Sequence, residues 1–102
     1  MESFFSQTPN ITMNLIKEDE DLKKAVYDFV SRIERSSPSR SSVKFSLVEK
    51  QVGGFSARLE VSANAFEILL TKKNKSFITL ISDFDIAFRE RLKPWLEGRF
   101  SA

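Results

Sequence analysis

Between Val43 and Leu70 the chain alternates apolar and polar residues in three runs. They carry Val43, Phe45 and Leu47, then Phe55, Ala57, Leu59, Val61 and Ala63, then Phe66, Ile68 and Leu70. A period of two belongs to a strand, because successive side chains leave it on opposite sides. The runs are joined by "QVGG" and by Asn64-Ala65, so they predict three consecutive antiparallel strands with one apolar face. Gly53 and Gly54 provide the positive φ that the first turn needs. A sheet with one apolar face must be covered, and that requirement constrains everything else in the chain.

The flanking segments can cover it. Leu22, Ala25, Val26, Phe29, Val30 and Ile33 recur at the spacing of one helix face, after the acidic run Glu18-Asp19-Glu20-Asp21. Acids suit the positive end of a helix dipole. "SSPSRSS" (36–42) then reads as a loop. A second helical spacing links Phe77, Leu80, Ile81, Phe84, Ala87, Phe88, Leu92 and Trp95, with Ser76 placed to cap it. Pro94 predicts a kink or stop near Leu92–Lys93. "ITMNLI" (11–16) is a short β-prone run after Pro9-Asn10. The predicted order is β-α-β-β-β-α, an α+β two-layer sandwich with both helices on one face of a four-stranded sheet. Residues 1–10 are expected to form a flexible leader, 11–97 a single domain and 98–102 a tail. The other sheet face would display Lys44, Ser46, Val48, Ser56, Arg58, Glu60, Ser62, Glu67, Leu69 and Thr71 to water. Phe29, Phe45, Phe55, Phe66, Phe77, Phe84 and Phe88 all match inward positions, which assigns them to packing rather than to a base-stacking platform.

Residue types narrow the chemistry. The 102 residues suit one domain, and they include neither cysteine nor histidine. Without cysteine there is no disulfide framework or thiolate metal site, which fits a reducing, cytoplasmic setting. Without histidine the usual neutral-pH base and the common triads are missing. Neighbouring acids in the run 18–21 point in different directions from a helix, so no metal is expected there. No glycine-rich phosphate loop occurs, and no apolar stretch is long enough to span a membrane. The expectation is a protein that is not an enzyme, with no cofactor, no metal, no small-molecule substrate and no membrane partner.

Charge is more informative in its placement than in its sum. The formal charge is +2, yet residues 37–75 hold seven basic and three acidic residues, a local +4. "TKKNKS" (71–76) reads as a strand-to-helix loop in which Lys72, Lys73 and Lys75 precede a helix start. Backbone N–H groups and ammonium groups together would favour a phosphate there. An ordinary wet loop explains the same lysines. Arg89, Arg91 and Lys93 lie late in the second helix, where cations also suit the dipole. Lys23, Lys24, Arg32 and Arg35 lie on the first helix, interrupted by Asp28 and Glu34. Together these groups could follow the phosphates of a structured RNA, which is met through shape and backbone.

The element order and lengths carry a further signal. "LKKAVYDFVSRIERS" stands as first helix, "VKFSLVEK" as second strand, and "FEILLTKKNKSFITLISDFDIAFRERLKPWL" as last strand and helix. With "VEK" closing the second strand and "FEI" opening the fourth, residues 11–97 resemble the ribosome hibernation-promoting factor and ribosome-associated inhibitor family, also called the sigma-54 modulation protein family. The resemblance implies a fold similar to a double-stranded-RNA-binding domain. It also implies a non-catalytic factor that binds the small ribosomal subunit through 16S rRNA, occupies the decoding channel, and silences and protects idle ribosomes under stress. By position it implies that Lys23, Arg32, Arg35, Arg91 and Lys93, with Arg89 nearby, meet the RNA. Lys72, Lys73 and Lys75 rest on the phosphate argument instead. The chain departs from the family at Ser76-Phe77-Ile78, at Ala87, where a lysine is usual, and at Pro94. As a 102-residue chain it would be a short-form or divergent member. The alternative is a protein-interaction or assembly module, self-associating or granule-associated, that binds no RNA. A homodimer remains open under either reading.

Overall fold

The strands form where the period of two predicts them, and the helices where the period of 3.6 does. A computed structural model describes residues 4–7, 10–38, 40–63 and 66–100, with side chains for 10–38, 40–63 and 66–97. The elements are β1 (Phe4–Gln7), β2 (Ile11–Leu15), α1 (Glu20–Ser36), β3 (Ser42–Glu49), β4 (Phe55–Ala63), β5 (Phe66–Asn74) and α2 (Phe77–Phe100). The strands make one sheet in the order β1-β2-β3-β4-β5. β2 pairs parallel to β3, and every other pair is antiparallel.

Both helices lie on one sheet face. Phe45 of β3 meets Phe29 of α1 at a ring-centroid distance of 5.3 Å and Phe84 of α2 at 5.6 Å, while Phe29 and Phe84 stand 6.0 Å apart. These three rings join all the layers, in the edge-to-face and tilted geometries that aromatic quadrupoles favour. Around them Met13, Leu15, Val26, Ile33, Leu47, Leu59, Val61 and Leu80 are buried. Thus the period-two residues of all three central runs face the helices, as the alternation predicts.

Local chemistry sets the boundaries. Asp19 caps α1, its carboxylate accepting from the Leu22 N–H at 3.0 Å, so part of the acidic run is a helix start. The first turn closes through Lys50 N–H to Gly54 O and Gly53 N–H to Lys50 O, both 2.9 Å. Gly53 and Gly54 have φ of 97° and 90°. A Cβ on Gly54 would also crowd Asn74 O and Lys75 Cα at 3.3 Å. Residues Asn64-Ala65, expected as the second turn, lie outside the described residues.

Three expectations need correction. The sheet has five strands, because Phe4–Gln7, placed in the leader, pairs with β2 from Phe4↔Leu15 to Gln7↔Thr12. That pairing occupies backbone groups on a β2 edge that would otherwise be open. Second, α2 runs through Pro94 to Phe100, past the expected end of the domain at 97. Pro94 can donate no hydrogen bond to the Glu90 carbonyl, but both residues are exposed and water can serve. Beyond it, Trp95 packs edge-on against Phe66 at 5.6 Å, which holds the last turns to the sheet. Third, β5 continues to Asn74, so "TKKNKS" is mostly strand and only Lys75-Ser76 connects to α2. β4 begins directly after Gly54, and its first residues pair Phe55↔Asn74, Ser56↔Lys73 and Ala57↔Lys72. Among the described residues, no helix is long and apolar enough to cross a membrane.

The three-ring junction is the fold's most sensitive point. Phe84→Ala should cost about 3–5 kcal/mol, as a buried aromatic truncation does. Urea unfolding monitored by Trp95 fluorescence measures it.

Candidate nucleic-acid interface

The two helices advance together. Ala25 shares a groove of about 230 Å³ with Phe77, Ile78 and Ile81. Further on, Phe29 meets Phe84, and the Arg32 guanidinium (Nη2) donates to Asp85 Oδ2 at 3.2 Å. Each step along α1 is matched by a step in the same direction along α2, so the helices run parallel, and α2 continues past the end of α1. The α1 stripe facing α2 (25, 28, 32) continues to Arg35. The α2 stripe facing α1 (78, 81, 85) continues to Arg89 and, one turn on, to Lys93.

The fold therefore brings Arg32, Arg35, Arg89 and Lys93 onto one stripe, level with the end of α1 and the middle of α2. Arg35, Arg89 and Lys93 are exposed. The α1 dipole presents its negative end there, which favours Arg35 in its last turn. Arg32 stacks over the Phe29 ring at 5.8 Å as well as pairing with Asp85, so its position is fixed from two sides. Arg40 joins this end from the loop between α1 and β3. It is exposed, with φ of 65°. Sequence reasoning passed over it because a lone arginine among serines has no period to assign it.

Other expected residues lie elsewhere. Lys23 sits at the opposite end, in the first turn of α1, with its ammonium 3.3 Å from Glu18 and 3.6 Å from Glu20. Glu18's carboxyl is held below its ordinary value by its hydrogen bond with Glu20 and then by Lys23. The Lys23 ammonium is held above its ordinary value, first by its hydrogen bond to Glu18. Lys72 and Lys73 leave β5 on opposite sides, as the pleat requires, with Lys72 half-buried on the helix face and Lys73 exposed on the open face. Lys75 follows the strand. The Ser76 hydroxyl accepts from Thr79 N–H at 3.3 Å, and Asn74 Oδ1 accepts from Ser76 N–H at 2.9 Å. The three lysines do not converge on the start of α2. Arg91 stands two residues from Arg89, about 200° around the helix, on the flank away from α1.

The open sheet face holds a shallow concavity of about 320 Å³, lined by Asn10, Thr12, Lys44, Ser46, Arg58 and Glu60. Arg58 Nη2 bonds Glu60 Oε1 at 2.7 Å across its floor. Four of these six residues, Lys44, Ser46, Arg58 and Glu60, were readable as the wet face of the strands. The share contributed by β2 depends on the parallel pairing Thr12↔Ser46, for which no local signal exists. Among the described residues, no three acidic side chains gather as a metal site. No family model matches the chain, and no curated protein matches it.

The Arg32–Asp85 pair is the one ion pair between the helices among the described residues. Because both groups are partly exposed, a double-mutant cycle with Arg32→Ala and Asp85→Ala should give a coupling of about 0.2–1 kcal/mol. Denaturant unfolding at low and high salt checks this, and salt should shrink the coupling.

Proposed function

We propose that this chain is a non-catalytic ribosome-binding factor. In this reading it is a short, divergent relative of the hibernation-promoting family with a domain similar to a double-stranded-RNA-binding domain. It enters the decoding channel of the small subunit in the cytoplasm, holds 16S rRNA phosphates, and blocks the space that mRNA and tRNA need.

One observation supports the reading: the parallel helices gather Arg32, Arg35, Arg89 and Lys93 into a single stripe beside the end of α1. Arg40 lies beside them. Cations one helical turn apart, about 5.4 Å, form a row that suits a phosphate backbone better than a small ligand. Recognition of structured RNA needs such a row and a rigid body behind it, because bases in an A-form helix are hard to reach. The buried aromatic junction beneath both helices supplies the rigidity. Inhibition would then be steric and would ask for no reacting group.

The test is co-sedimentation with bacterial 30S and 70S ribosomes across a salt series. Wild-type binding should be saturable and lose affinity steeply with salt. About four phosphate contacts give a slope of about −3 to −4 in log K against log salt. Arg35→Glu/Arg89→Glu/Lys93→Glu should abolish most of this binding, whereas Lys23→Gln should stay within about twofold of wild type, since its charge is already answered by Glu18 and Glu20. Absence of saturable binding at low salt would overturn the proposal. Loss with Lys72→Glu/Lys73→Glu/Lys75→Glu in place of the helix triple would move the interface to the end of β5.

A further inference from the structure

The last strand of the sheet has one neighbour. β5 pairs with β4 along its whole length, from Phe66 to Asn74, and ends the strand order. Among the described residues no strand pairs with its outer edge, which leaves backbone N–H and C=O groups open over nine residues, a long edge for so small a sheet.

From its side chains we infer that this edge pairs with β5 of a second copy of the chain, about a two-fold axis through Leu70. The proposal goes beyond the ribosome reading and does not depend on it. Leu70 is the centre of the strand, so antiparallel pairing about it uses all nine residues and joins two sheets into one of ten strands. In that register Glu67 stands opposite Lys73 of the second copy, and Lys73 opposite its Glu67. Both residues are exposed on the open face, and among the described residues neither forms an ion pair. Leu69, exposed beside them, meets Thr71 of the second copy. A lysine on an edge strand ordinarily deters pairing. Here each Lys73 meets a carboxylate, and opposite charges directly across a strand pair are favourable. Lys72, on the helix face, meets Ile68 of the second copy with its stem while its ammonium stays in water.

The helix layer repeats the same symmetry independently. α2 runs antiparallel to β5, with Phe77 against Phe55 near the Asn74 end and Trp95 against Phe66 at the other. The point midway between these two contacts, at Ile86–Ala87, therefore lies over Leu70. The flank of α2 turned toward the edge carries Asp83, Ala87 and Arg91, four residues apart. About the same axis Ala87 meets Ala87, a side chain small enough for close approach, and Asp83 faces Arg91 of the second copy. Among the described residues neither Asp83 nor Arg91 has an ion-pair partner within the chain. Strand and helix thus each carry an acid and a base equidistant from one axis.

Sedimentation equilibrium of the full chain, without RNA, tests the inference over a concentration series reaching about 100 µM. Wild type should be a reversible dimer. Lys73→Glu and Glu67→Lys should each weaken it by at least about tenfold, because two attractive pairs become two repulsive ones. The double variant Glu67→Lys/Lys73→Glu should restore it to within about threefold of wild type, a rescue that damaged folding would not produce. Circular dichroism of the single variants confirms that each remains folded. A wild type that stays monomeric, a dimer indifferent to both single reversals, or a double variant as weak as the singles would each overturn the inference.

Discussion

Strand β2 lies parallel to β3, and that pairing directs the whole helix layer. A parallel neighbour cannot be reached by a tight turn; the chain must cross back over the sheet, and α1 is that crossing. It therefore runs opposite to β2 and β3. β5 lies antiparallel to β4 and so points the same way as β3, which obliges α2, following it, to run alongside α1 in the same sense. Had β2 joined the sheet antiparallel, the two helices would have opposed each other and their basic ends would have separated.

Parallel helices also sort the charges of the domain. At one end lie two helix starts, where Asp19 caps α1 and Glu20 and Asp21 occupy its first turn. Toward the other lies the end of α1 with Arg35 and the neighbouring Arg40, beside Arg89 and Lys93 of α2, which runs on past it. The α1 dipole favours Glu20 and Asp21 at its start and Arg35 in its last turn, while Lys23 in the first turn is answered by Glu18 and Glu20. A modest net charge thereby becomes a polar distribution with one strongly cationic end. That distribution costs the fold little, since every one of these groups reaches water. Arg32 is the exception in kind: its pairing with Asp85 and its stacking on Phe29 hold the helices in register, at the expense of charge offered outward.

Much of the fold is legible in local periods. Val43 to Leu70 alternates, residues 22–33 and 77–95 recur at helical spacing, and each run becomes the element its period predicts. What escaped has a physical reason in each case. Four residues, Phe4–Gln7, are too few to display a period, and their pairing depends on a vacant edge elsewhere. The end of β5 is set by where β4 begins, so a polar stretch read as loop is drawn into the ladder. Pro94 breaks a hydrogen bond, but Trp95 holds the following turn through a contact with Phe66 that lies nearly thirty positions away in sequence. Parallel pairing leaves no local mark at all. The candidate site follows the same division. Its cations could be seen one by one, whereas their grouping needed the relative direction of two helices.

The same geometry explains how one helix can serve two surfaces. Arg89 and Arg91 are neighbours in sequence, and a stretch reading Arg-x-Arg-x-Lys suggests one basic patch. On a helix, however, two residues are about 200° apart. Arg89 therefore joins the stripe between the helices, while Arg91 turns to the flank above the β5 edge, where Asp83 lies two turns before it. A two-fold pairing through that edge would cover Arg91 and leave Arg35, Arg89 and Lys93 of both copies in water. Since Ala87 would lie at the axis and Arg89 on the opposite flank of the same helix, the two basic stripes would face outward on opposite sides of the paired α2 helices. Self-pairing through the β5 edge and anion binding on the stripe are thus compatible within a single chain.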